Sequence, residues 1–338
     1  MTADVIINAD QSELEALFNT VAPLDAGLND NKQASALDTI DLVGSINNGW
    51  SERDYEIDNI GSELTTELSS RYQLLGSGYP FLIEGSGLKL NIDRPNLFYI
   101  FCLIISHSKI KAHAGEKANN LKMARLFEKV TLKIIQKSLG TFSNSLHFGF
   151  PRDDRSNIFK AMENLKNQLD LSGEFKPNPI DYVEEDLMKQ KDLGIDQIIW
   201  IKRPDQRKYG HLFLLGQCAC GQDYLNKFND INLNKLNNYF RPLTHVSPIK
   251  AMSVPFLVSE KEFRRISNEA GWLFDRISLS ALYDSYEDLK VEYDYQLLDS
   301  IAQSTPHGIR FKHSLLYEML TSKCCLPEIE KDIKEFSK

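Results

Sequence analysis

From Asp196 to Gln217 the chain reads DQIIWIKRPDQRKYGHLFLLGQ, and no other stretch narrows the choice of fold as much. Residues 197–201 and 211–216 are short apolar runs rich in β-branched and aromatic side chains, joined by the polar link KRPDQRKYG. Runs too short for helices and separated by turn formers pair as an antiparallel β-hairpin. Gly221 ends the second strand. Tyr224, Phe228 and Ile231 then recur at helical spacing, so a helix from about Asp223 is expected to carry Lys227.

The flanks read as helices with one more strand. Over 117–139, Leu121, Ala124, Val130, Leu132 and Ile135 fall roughly at helical spacing, with Lys122, Arg125, Lys129, Lys133 and Lys137 on another face and Glu128 midway. A helix over about 156–171 follows the turn FGFPRDD, a strand is expected over 251–258, and helices around 260–269, 279–286 and 313–320. Trp200, Phe213 and Trp272 read as core aromatics. The pattern is α/β, strands flanked by helices. Residues 1–50, rich in Asp, Asn and Ala, read as an acidic arm with one amphipathic helix over 11–21. Residues 51–116 read as a helical N-terminal module, 117–258 as the core and 259–338 as a helical C-terminal module.

The richest apolar run, LFYIFCLIIS at 97–106, is about half a membrane span, so a buried helix is expected and membrane insertion is not. The first twenty residues lack a basic region followed by an apolar one, and five irregularly spaced cysteines make neither a disulfide framework nor a zinc pattern; a cytoplasmic protein is expected. With 39 basic against 47 acidic residues the formal charge is −8, so nucleic acid would have to be met by local basic patches, a bound cation or a partner subunit. The histidines have no nucleophile at recognisable spacing, and the Gly-rich stretches lack a Walker-type lysine.

Phosphodiester hydrolysis needs hard cations on oxygen ligands, a base route to water and a positive charge near phosphorus. Asp196 opens the first hairpin strand and Gln217 closes the second, so an antiparallel pair brings them to one end of the sheet. Lys227, ten residues on, could point back over the strand ends.

A Gly-Ile-Asp before a strand, a polar turn and a second strand ending in Gly-Gln-Cys resemble the restriction-endonuclease-like superfamily, the PD-(D/E)XK nucleases, and within it a bacterial defence-associated branch. The likeness spans residues 118–258, with weaker kinship in RYQLLGSGYPF and AGWLFDR. It implies a restriction-endonuclease-like mixed sheet, Asp196, Gln217 and the Cys218 carbonyl as ligands of Mg²⁺ or Mn²⁺, and Glu128 as the acidic residue of the first core helix. Where such nucleases place a lysine two residues after the third-strand ligand, this chain has Ala219. The resemblance then assigns the catalytic lysine to Lys227, or implies a disabled site.

Each residue also has a structural reading. Asp196 can start a strand, Gln217 can satisfy a buried hydrogen bond, Lys227 can be solvated, and Glu128 can pair with a neighbouring cation within its helix. The basic faces at 117–139 and 202–208 can follow a phosphate backbone or simply meet water. Two functions therefore stand at this stage. One is a Mg²⁺-dependent DNA endonuclease in an anti-phage system; the other is a catalytically silent nuclease fold that binds a partner ATPase, a helicase or nucleic acid. A homo-oligomer fits either, and a purely helical interaction protein would require the hairpin not to form.

Overall fold

A computed structural model describes residues 3–19, 34–35, 50–84, 87–107, 117–152, 154–169, 173–178, 185, 189–205, 207, 209–221 and 223–304. The chain divides into two compact units, one from Met1–Ser108, His113–Met123 and Arg276–Lys338, the other from Lys109–Ala112 and Ala124–Asp275.

The first unit is mainly helical. Its described elements are α1 (Ala3–Asn19), α2 (Trp50–Leu75), the hairpin of β2 (Phe81–Glu84) and β3 (Gly87–Leu90), and α3 (Leu97–His107). α8 (Arg276–Asp284) and α9 (Glu287–Ser304) complete it, and β1 (Ala34–Ser35) pairs with the β3 edge. α3 is buried from Leu97 to Ser106, as its all-round apolar sequence requires.

The helix expected over 11–21 instead begins at Ala3, and two of its acids, Asp10 and Glu13, are buried. Asp10 bonds Arg71 at 2.7 Å and Arg276 at 2.8 Å, while Glu13 pairs with Arg71 at 2.9 Å and accepts from the Tyr79 and Tyr99 hydroxyls. All six side chains are buried. Against the upward push of burial, Arg276 and Arg71 hold the Asp10 carboxyl well below the usual carboxylate range.

The second unit is a five-stranded mixed sheet between helices. β4 (Ser143–His147), β5 (Gln197–Ile201) and β6 (Leu212–Cys218) form an antiparallel meander, and β7 (Ile249–Ser253) and β8 (Trp272–Phe274) continue it in parallel from β6. α4 (Lys117–Ser138) reaches one face through Gln197, whose Nε2 donates to the Glu128 carbonyl and to the Thr131 hydroxyl, both at 2.7 Å. Gly216 makes room for that side chain, since a Cβ there would lie 2.9 Å from the Gln197 Oε1. On the other face, Ile198, Trp200, Phe213 and Leu215 pack with Ile158 and Leu165 of α5 (Ile158–Gln168) and Leu236 of α6 (Leu233–Tyr239). α7 (Glu260–Ala270), capped by the Ser259 hydroxyl, buries Ile266 against Met252, Val254 and Leu273.

The hairpin register is Gln197↔Gly216 to Ile201↔Leu212, so Asp196 comes just before its first pair and Gln217 just after, at the same end of the sheet. The 251–258 strand is found as β7 and stops short of Pro255, which has no N–H to give a ladder. Three expectations change. Lys227 is not on a helix: Tyr224–Asn226 is a single 3-10 turn with Lys227 at its end, because Asn226, Asn229, Asp230 and Asn232 favour turns, and Asn232 caps α6 instead. Trp272 is 46% exposed, and Leu121, counted into the apolar stripe of α4, is 49% exposed. The helix expected over 313–320 lies outside the described residues.

Candidate active site

Asp196 sits just before β5, where its main chain is locked from both sides. Its N–H donates to the Gly216 carbonyl at 2.9 Å, and its carbonyl accepts from the Phe148 and Gly149 amides at 2.7 and 2.9 Å. One carboxylate oxygen, Oδ2, accepts the Cys218 N–H at 2.8 Å, so the side chain extends the β5–β6 ladder by one bond. The other, Oδ1, lies where a Cβ on residue 149 would be 2.8 Å away. Only glycine there lets the loop after β4 pass so close to the carboxyl.

Glu128, on α4, is close enough to be felt. Burial first, and then the Glu128 charge, push the Asp196 carboxyl up to about 8; the Cys218 N–H bond and Lys227 act the other way. Glu128 is held in turn by His147, the last residue of β4, whose Nε2 lies 2.8 Å from its Oε2. The Cys218 thiol is buried 3.6 Å from the Thr131 hydroxyl, and burial together with Asp196 and Glu128 pushes its pKa up. It is therefore a neutral core group and no nucleophile.

The expected residues fare unequally. Glu128, Asp196 and the Cys218 main chain gather at one end of the sheet. The part of Cys218 that meets Asp196 is its amide. Gln217 is buried, and its Nε2 turns to Asp230 Oδ2 at 2.6 Å. Lys227 is half-buried and forms no direct ion pair with Asp196 among the described residues, although its charge favours the ionised carboxyl. Ala219, at the expected lysine position, is fully buried beside Phe228 and Val254, with no space for a cation.

Two contributors were not foreseen. His147 follows the polar stretch SNSL, which does not read as a strand; β4 is held instead by the Gln136 side chain of α4, which bonds the Ser143 carbonyl and the Ser145 hydroxyl. Gln197 is 0% exposed inside an otherwise apolar run, the kind of buried polar group that demands a partner, and that is a signal the sequence carries.

Among the described residues no group of three His, Cys, Asp or Glu side chains has the spacing of a metal site. Chemically, the Glu128 and Asp196 pair still suits a hard dication, because a buried carboxyl whose protonation a second carboxylate raises is what such a cation relieves. The expected basic loop is partly neutralised, Asp205 pairing with Arg203 and Arg207, both at 3.1 Å. No helix among the described residues is long and apolar enough to cross a membrane. Comparison with known proteins found no matching family, no characterised relative and no solved structure of similar fold.

Proposed function

We propose that the second unit is a metal-dependent nuclease of the restriction-endonuclease-like kind, acting on DNA in a defence setting. The observation that carries this reading is the Asp196 carboxyl, fixed at the end of β5 and pushed up to about 8 by burial and by Glu128. A buried carboxyl with a strongly displaced pKa, at the end of a sheet, is a candidate for chemistry rather than for stability. The element order supports it: a helix carrying Glu128, three antiparallel strands, and a further strand parallel to the third.

Asp196 and Glu128 would hold Mg²⁺ or Mn²⁺, with Gln217 and the Cys218 carbonyl as further oxygen donors; when bound, such an ion activates water and neutralises charge on phosphate. The chain's own contribution is positional. Cys218 fixes the Asp196 carboxyl and Gly149 its main-chain carbonyl, Gln197 fixes the α4 turn that carries Glu128, and His147 holds the Glu128 side chain. Lys227 supplies positive charge beside the site.

A second reading is favoured by Ala219 and by the Gln217 contact with Asp230: a silent nuclease fold serving as a partner-binding subunit, for example beside an ATPase or helicase. Plasmid cleavage in Mg²⁺ or Mn²⁺ separates the two. The nuclease reading requires metal-dependent nicking that Asp196→Ala and Glu128→Ala abolish. Cleavage that survives both substitutions refutes the assignment, and complete inactivity of the parent in either metal selects the silent fold.

A further inference from the structure

The loop after β4 presents an aromatic ring to solvent beside Asp196. Phe150 is 46% exposed and lies one residue beyond Gly149, whose N–H is bonded to the Asp196 carbonyl. The Lys191 ammonium sits over its ring, 5.6 Å from the centroid. A single exposed ring is ordinary on a protein surface. What sets Phe150 apart is how much buried polar chemistry is committed to holding it. Arg152, 6% exposed, donates one terminal nitrogen to the Lys191 carbonyl at 2.8 Å and the other to the Ser156 carbonyl at 3.2 Å, clamping the ring-bearing loop to the Lys191 segment. Its guanidinium also covers the Phe148 ring at 4.8 Å. Arg125 of α4 donates to the Pro151 carbonyl at 3.0 Å. Both clamped segments contain a non-glycine residue in the left-handed region, Arg155 at φ 54° and Leu193 at φ 60°, a strain that persists only where surroundings impose it.

A solvent-facing ring on a clamped loop, with a cation against it, matches the two needs of an unpaired nucleotide, a flat surface for the base and positive charge for its phosphate. Paired bases in a duplex offer no free face to such a ring. We infer that Phe150 and Lys191 form a stacking platform for one unpaired base, so that the chain takes single-stranded or locally opened nucleic acid at the Asp196 end of the sheet. This rests on the nuclease reading for the class of ligand. The platform selects the substrate; it takes no part in bond breaking.

The test uses the full chain in EDTA at low salt, with fluorescence anisotropy of labelled oligothymidylate and of an abasic oligonucleotide of the same length. The parent should bind oligothymidylate more tightly than the abasic strand. Phe150→Ala should weaken oligothymidylate binding about tenfold, equivalent to about 1.4 kcal/mol, and leave the abasic strand unchanged. Phe150→Trp should retain affinity, whereas Phe150→Leu, which keeps apolar area but no ring face, should behave like Phe150→Ala. Equal binding by parent and Phe150→Ala, rescue by Phe150→Leu, or a parent that binds neither strand or does not distinguish them, overturns the platform. A parallel cleavage assay in Mg²⁺ keeps the two proposals apart. Base-dependent binding without cleavage refutes only the nuclease, and cleavage with Phe150-independent binding refutes only the platform.

Discussion

Replacing Asp196 by Asn should change how stability depends on pH, in a direction that few carboxylates produce. In the unfolded chain this side chain titrates near 3.8; in the folded protein burial and Glu128 raise it to about 8. Between those values the folded state keeps a proton that the unfolded state has lost. Stability from this group is therefore complete below about pH 4 and is lost as pH rises through about 8. At about 1.36 kcal/mol for each tenfold change in proton affinity, that displacement amounts to roughly 6 kcal/mol across the window, an order of magnitude for a group coupled to Glu128. The amide of the Asp196→Asn variant cannot titrate, and its oxygen can still accept the Cys218 N–H. The variant should match the parent below about pH 4 and exceed it by several kcal/mol near pH 9.

Urea unfolding at several pH values, followed by the emission of Trp200, which is buried in the same unit, measures this directly. Asp294, raised to about 6 by burial, adds a slope of the same sign, and Asp10 adds one of opposite sign at the acidic extreme. Both remain in parent and variant, so the difference between the two curves isolates Asp196. Parallel curves, or a variant less stable than the parent at pH 9, would refute the account of how this carboxyl is held.

Glu128→Gln removes the second-largest cause of the Asp196 shift, so the Asp196 carboxyl should titrate at lower pH than in the parent, as read by carbon NMR of labelled aspartate. Under the nuclease reading, Mg²⁺ should stabilise the parent near pH 8 by about 2.7 kcal/mol at a hundred times its dissociation constant, and Asp196→Asn should lose that gain in a melting assay. Gly149→Ala brings a methyl to 2.8 Å from the Asp196 Oδ1; it should cost about 1–3 kcal/mol in denaturant unfolding and abolish cleavage while the fold persists. In the other unit, Arg276→Met strips Asp10 of a bidentate partner and should cost about 3–5 kcal/mol, read as a lowered thermal midpoint.

What could be read from residues alone was whatever local chemistry decides. The hairpin was legible because β-branched apolar runs around a Pro- and Gly-containing link leave few alternatives, and its pairing then had to bring Asp196 and Gln217 to one end of the sheet. A long helix such as α4 announced itself by the period of its apolar residues. β4 could not be read, because Ser143, Asn144 and Ser145 have poor strand propensity; their pairing is set by β5 on one side and by the Gln136 side chain of α4, neither of which strand propensity registers. Lys227 was misplaced for the converse reason, since Tyr224, Phe228 and Ile231 do become buried or half-buried but do so from turns that their Asn and Asp neighbours prefer. The same distinction governs the site. Residue types suggested Asp196, but its unusual proton affinity arises from Glu128, sixty-eight positions earlier by the numbering, and from the loss of solvent around it. Gln197 decides that encounter: one buried amide ties the Glu128 turn to the strand that follows Asp196, so a change at Gln197 should move the titration of Asp196 without touching either carboxyl.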